Sequence, residues 1–342
     1  MTLPNMDALL ATLPADLRAA AAELYVKVAA IAWEAEETLG IAFQILREAR
    51  GEPELLDTGS ELLDRAVAAE LSAARDEIGA AGNRFSGSWV GGGAESFNSY
   101  LPKLMAAIES MEESAGKTAE AVRLFSQALT DLWQRIVERT WHSGGEVTAA
   151  VAQAGRNLAV AVPLVLGIVD RYAAYVGGIA AALLELAGNE YKAGEKLAEA
   201  GSLPGVADLD TPRLPLPADQ AADPSWSDAD RKDNWRPGGE LRMDTEAMAT
   251  MIAAFRNNGV YWDNADRHQT EAAEAHLTPR AFGLGVEFYG DVQRVMARDR
   301  GLYRDADARM DSVAGALSEI GGLYGMIDED TTSSFNKQMD DQ

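Results

Sequence analysis

The chain contains no cysteine. That excludes a disulfide framework, a thiolate zinc site and a thiol nucleophile. Histidine is nearly absent, with only His142, His268 and His276. His268 and His276 stand eight apart, a poor spacing for two ligands on one helix face, and no His-Glu-x-x-His occurs. The Gly-Gly-Gly-Ala stretch at 91–94 lacks the Lys-Ser/Thr that would make a phosphate loop, and Gly-x-Ser-x-Gly is missing too. Paired carboxylates abound, but on an acidic helical chain they form a solvated face. No catalytic residue, cofactor or metal site is therefore expected.

Basic residues are also scarce. The 30 Lys and Arg stand against 54 Asp and Glu, a net charge of −24. Residues 1–200 carry 28 acids and 16 bases and residues 201–342 carry 26 and 14, so each part is −12. Phosphate backbones need clustered bases, which excludes nucleic acid as a partner and disfavours an anionic membrane. The first twenty residues lack a basic segment followed by an apolar run, so no general secretory signal is expected. Aromatics are only 7% while hydrophobic residues reach 47%, much of it alanine, which suits close-packed helices.

Strand signals are few and helical spacing is pervasive. Leu17, Ala21, Leu24, Val28, Ile31, Ala35, Ala42 and Ile45 follow steps of three and four, with Thr38 in the gap. One helix is expected from about Pro14 to Arg50, ending at Gly51 and Pro53. A second spans about Ser60 to Ala81. A third runs from near Ala94 to Arg139, with an interruption at Ser143-Gly144-Gly145. A fourth runs from Glu146 to about Ala200, kinked at Pro163.

Residues 201–239 hold six of the twelve prolines and seven acids, which reads as an extended linker. Trp226 and Trp235 would anchor it. Beyond it, Asp244 or Thr245 can cap a helix carrying Met248, Ile252, Phe255 and Trp262. After a break at Thr278-Pro279 and Phe282-Gly283-Leu284-Gly285, the last helix has the cleanest period. Tyr289, Val292, Met296, Tyr303, Ala306, Met310, Val313, Leu317, Ile320, Tyr324 and Ile327 form a seam that only Asp299 interrupts. The division expected is a helical module 1–200, a linker 201–240, a helical hairpin 241–328 and a disordered tail 329–342. The fold class is all-α, an elongated helical bundle of two hairpin modules.

Trp89-Val90-Gly91 lies between two long helical patterns. Flanking glycines permit the positive φ of a tight reversal, and the indole would plug the end of an antiparallel helix pair. The segment resembles the Trp-x-Gly helical-hairpin family of type VII (ESX) secretion systems. Residues 241–330 resemble a related ESX-associated group, in which Phe-Gly, here Phe282-Gly283, marks the turn. The resemblance implies export, a secretion ATPase or a small Trp-x-Gly protein as partner, and a Tyr-x-x-x-Asp/Glu signal. Three of the nine tyrosines carry an acid four residues on: Tyr191/Glu195, Tyr303/Asp307 and Tyr324/Asp328. Tyr324/Asp328 closes the last predicted helix, where the family places its signal. Single family hairpins pair into four-helix bundles, so the two in this chain could pair with each other as a pseudo-dimer. Separate partners or a homo-oligomer are the other arrangements.

Leu158 to Leu184 is apolar except for Asp170 and Arg171 at its middle. Its length allows a membrane span, yet each central charge costs roughly 2.5–3.5 kcal/mol on insertion scales. A buried bundle helix is the simpler reading, and conditional insertion as a bent hairpin is the other. Three functions remain open: a type VII substrate or accessory protein, cytoplasmic before export and then secreted or surface-bound; a membrane-active effector using 158–184, with Val165 among the residues of the inserting segment; and a cytoplasmic scaffold or chaperone for secreted partners.

Overall fold

In the computed structural model, residues 6–49, 51–90, 92–155, 157–186, 192–205, 242–283 and 285–340 are described. The linker with Trp226 and Trp235 falls outside them from residue 206 to 241, as do Gly91 and Tyr191. The described residues are all-α apart from one two-residue strand pair. In order, the helices are α1 (Met6–Ala11), α2 (Ala15–Ala29), α3 (Glu36–Ala49), α4 (Pro53–Glu61), α5 (Ala68–Phe85), α6 (Gly92–Ala154), α7 (Leu158–Leu186) and α8 (Lys192–Ser202). After the linker come α9 (Thr245–Asn257), α10 (Gly259–Glu271), α11 (Pro279–Phe282) and α12 (Val286–Asp340). π-helical stretches Leu62–Val67 and Ala272–His276 follow α4 and α10. Strands β1 (Trp89–Val90) and β2 (Arg242–Met243) pair antiparallel, with Trp89 opposite Met243.

The expected helices have different ends, and the one expected over 60–81 is already helical from Pro53 and runs to Phe85. The helix over 14–50 is two, because the chain reverses between Ala29 and Glu36 through a short 3-10 turn at Trp33–Ala35. Tyr25 Oη donates to Glu36 Oε1 at 3.0 Å, whereas eleven residues of straight helix would separate their Cα atoms by roughly 16 Å. The interruption expected at 143–145 is not there: α6 runs through it. The break lies instead at Gly155, whose φ of 59° ends the helix in the left-handed conformation that glycine adopts most readily. The helix then restarts at Leu158 and carries Pro163 within its second turn. At the far end, α12 continues to Asp340 through the stretch expected as a tail, since residues 327–340 contain neither glycine nor proline to stop it.

Contacts group the chain into two compact units, each drawn from three stretches. Unit 1 comprises Met1–Glu61, Thr118–Ala198 and Glu271–Arg294; unit 2 comprises Leu62–Lys117, Glu199–Thr270 and Val295–Gln342. The sequence division runs in chain order, whereas this grouping interleaves the two halves.

In unit 1, α7 packs on α3, and Leu24, Val28, Leu39, Phe43, Val165 and Tyr172 lie in the core. Phe43 meets Tyr172 edge-on, with ring centroids 6.3 Å apart. The Tyr172 hydroxyl shares a 2.9 Å hydrogen bond with Thr140, and burial pushes its pKa up to about 12. In unit 2, α9 packs on α5, and the buried seam of α12 runs through Met296, Tyr303, Met310, Val313 and Leu317.

Candidate functional site

The reversal at Trp89 is an antiparallel helix pair, read from which residues meet. Phe85 of α5 packs edge-on against Phe97 of α6, with centroids 5.6 Å apart. One turn further from the corner, a Cβ on Gly82 would come within 2.3 Å of Leu101, and the next turn brings Gly79 against Met105. Arg75 pairs with Glu112 at 3.0 Å. As numbers fall along α5 they rise along α6. The two small residues let the helices approach closely. Trp89 is 3% exposed, with its ring centroid 5.2 Å from Phe85 and 6.2 Å from Phe97. The indole therefore caps the open end of the pair.

Positive φ is not what turns this corner at Gly87: among the described residues only Gly155 and Gly283 have it. The strand pair does part of the work instead. Asp244 N donates to Ser88 O at 3.0 Å, and the Asp244 side chain accepts from Glu246 N and Ala247 N to cap α9. Phe255 of α9 then lies 6.2 Å from Phe97 and covers the aromatic cluster. Asn258 donates to Ala74 O at 2.9 Å. In unit 2 the Trp89 hairpin thus has its inner face occupied by segments from beyond the linker. Phe85 and Phe97 flank Trp89 closely enough to have been named from the sequence; Phe255 is too distant in the chain.

The corner at Phe282, in unit 1, has a different construction. Thr278 caps α11, with Pro279 at its first position, and Gly283 ends it at φ 57°, ψ −122°. Gly285 sits so close to Phe125 that a Cβ there would lie 2.3 Å from the ring. Phe125 stacks on Phe288 at 4.8 Å and contacts Phe282 at 5.5 Å. Phe288 is fully buried while Tyr289 is only partly so, which moves the start of the α12 seam by one residue. Arg280 pairs with Glu52 at 2.7 Å, and Glu52 N donates to Ala281 O. Gln293 of α12 donates to Leu277 O at 3.1 Å across the corner, so the chain reverses here as well.

Asp299, the residue that interrupts the seam, is 2% exposed. Ser114 Oγ lies 2.8 Å from its Oδ2 and 3.2 Å from Ala200 O, and the one hydroxyl hydrogen serves a single acceptor at a time. Arg298 Nη1 donates to Ala200 O at 3.1 Å, and its Nη2 donates to Leu203 O. Burial raises the Asp299 pKa to about 6, opposed by Ser114 and Arg298. The sequence marks Asp299 as anomalous, but its partner Ser114 lies far away in the chain.

Tyr324 and Asp328 stand one turn apart on the helical backbone of α12; their side chains lie outside the described residues, as does that of Leu184. Along α7, Leu158 is exposed, Val165 is fully buried, and Asp170 and Arg171 are exposed. The window Leu158–Ile179 has the length and hydropathy of a membrane span, with 33% of it buried. His142 pairs with Glu146 at 3.1 Å. The described residues thus define an all-α chain with two aromatic corners and an apolar helix that is one-third buried. No family model, curated protein or solved structure matches it.

Proposed function

We propose that the chain is a substrate or accessory component of a type VII secretion system, working through helix–helix contacts rather than chemistry. The observation that carries this reading is Trp89, buried at the reversal of an antiparallel helix pair where the Trp-x-Gly tripeptide would serve as the turn. The glycine-bounded Phe282 corner is a second reversal of the kind the resemblance implies. Contacts from α9 and α12 onto the Trp89 hairpin, through Phe255, Asn258 and Asp299, favour pairing within one chain over capture of a separate small partner on that face. Recognition by a secretion ATPase is then assigned to Tyr324 and Asp328, on the continuing helix of α12.

Export from the native host tests this. Tyr324→Ala and Asp328→Ala should each lower the extracellular protein at least tenfold while the cell-associated pool stays folded and helical by circular dichroism. Unchanged extracellular levels in both variants would reject the signal.

The exposed part of α7 supports a second reading, a membrane-active effector. Dye release from vesicles by the wild-type chain, lost in the exposed-site variant Leu164→Asp, would favour it over the first.

A further inference from the structure

One face of α7 is buried, through Ala161, Val165, Ile168, Tyr172, Val176 and Ile179. The opposite face carries a stripe at alternating steps of three and four: Val160, Pro163, Gly167, Asp170, Ala174, Gly177 and Ala181. All are exposed except Gly167, which is half-buried. This is the spacing of a helix-packing seam. Its composition is asymmetric about the middle: bulk stands at the N-terminal end, in Val160, Pro163 and the adjacent Leu164. At the C-terminal end stand Gly177, Gly178 and Ala181. A Cβ at Gly177 or Gly178 would meet nothing within 4 Å, so these two positions are open hollows. At the centre an acid and a base adjoin, Asp170 and Arg171. Arg171 reaches Glu146 of α6 at 3.6 Å, yet its side chain stays 61% exposed.

We propose that this face is a self-complementary docking surface, on which α7 of a second copy lies antiparallel. A two-fold axis between residues 170 and 171 sets Asp170 of each copy against Arg171 of the other. The same operation places Leu164 over the hollow at Gly177, Pro163 over Gly178, Val160 against Ala181 and Gly167 against Ala174. Large meets small toward both ends of the stripe, two small residues meet at Gly167 and Ala174, and opposite charges meet at the middle. Both matches follow from one register, which is what argues for a second copy rather than lipid. A bilayer would place the exposed Asp170 carboxylate and Arg171 guanidinium in an apolar medium, and it gains little from glycine. Glu146 on α6 does not oppose the pairing, because it is already shared among Arg139, His142 and Arg171.

Sedimentation of the full chain across a concentration series, up to the sub-millimolar range, tests the proposal. The wild type should shift with concentration from the 36.6 kDa monomer toward twice that mass. Asp170→Arg and Arg171→Asp each place like charges at the axis and should weaken association at least tenfold. The combined charge swap restores opposite charges across the axis and should restore the dimer, a rescue that a merely unfolded variant cannot show. Gly177→Leu fills the hollow with a better helix former and should give a helical monomer. A wild type that stays monomeric throughout, or a dimer indifferent to all four variants, overturns the pairing. So does monomeric protein that instead floats with zwitterionic phosphatidylcholine vesicles, since lipid would then cover the face. None of these readouts involves export, so the pairing and the secretion reading fail separately.

Discussion

Asp299 sits where an apolar residue would complete the α12 seam, and among the described residues Ser114 is the neutral donor to its carboxyl. Its folded pKa, about 6, lies above the ordinary 3.8 because burial penalises the charge more than Ser114 and Arg298 relieve it. A raised acid pKa means the folded state binds the proton more tightly than the unfolded chain does. This residue therefore weakens the fold at neutral pH. As pH falls through 6 toward 3.8 the penalty disappears, by roughly 3 kcal/mol for a shift of about two units. Asp299→Asn keeps an acceptor for the Ser114 hydroxyl and carries no charge. Urea unfolding at pH 8 should find the variant more stable than the wild type by up to that amount. The advantage should shrink steadily to pH 4. A difference that stays constant over this range would show that Asp299 does not titrate as a buried acid. The sequence displays the anomaly at 299 plainly. What it hides is the compensation, since Ser114 and the Ala200 carbonyl reach the site only through tertiary packing.

At the scale of elements, composition is a reliable guide where backbone chemistry forces the outcome. Asp244 caps α9 as its position before a periodic run suggests, and Pro279 opens α11. It misleads where packing decides. The reversal between α2 and α3 contains neither glycine nor proline, so nothing local announces it. Conversely, Gly144 and Gly145 invite a break that does not occur. Gly144 O accepts from Thr148 Oγ1 at 3.0 Å and from Lys27 Nζ at 3.3 Å, and Ser143 is buried, so tertiary contacts keep α6 helical there. Gly145 then contributes only backbone freedom to the unfolded chain, and a Cβ on it would meet nothing within 4 Å. Gly145→Ala should raise stability by about 0.5–1 kcal/mol. A loss in the unfolding midpoint would mean that the helix bends at this glycine.

For the whole molecule, the all-α class is legible from periodicity, and the two aromatic corners stand out as punctuation. The grouping of segments is not legible, because a hydrophobic stripe states that a face is buried without naming its cover. Unit 2 closes its contacts among 62–117, 199–270 and 295–342, and unit 1 among the remainder. Trp89 with Phe85, Phe97 and Phe255 belongs to the first set, and Phe43 with Tyr172 to the second. If each set is a cooperative unit, injury to one should leave the other protected. Trp89→Ala removes a large buried ring, a change that costs about 3–5 kcal/mol. Hydrogen exchange in the variant should accelerate at least a hundredfold across 68–85, 97–117, 245–270 and 296–320. Amides in 15–29, 36–49 and 161–179 should exchange as in the wild type. Uniform acceleration across both sets would show that the chain opens as one body and that α6 and α12, which belong to both, transmit the damage. Acceleration confined to 85–97 would show instead that Trp89 seals only its own corner, and the hairpin would then owe its stability to the small-residue contacts at Gly79 and Gly82 rather than to the indole.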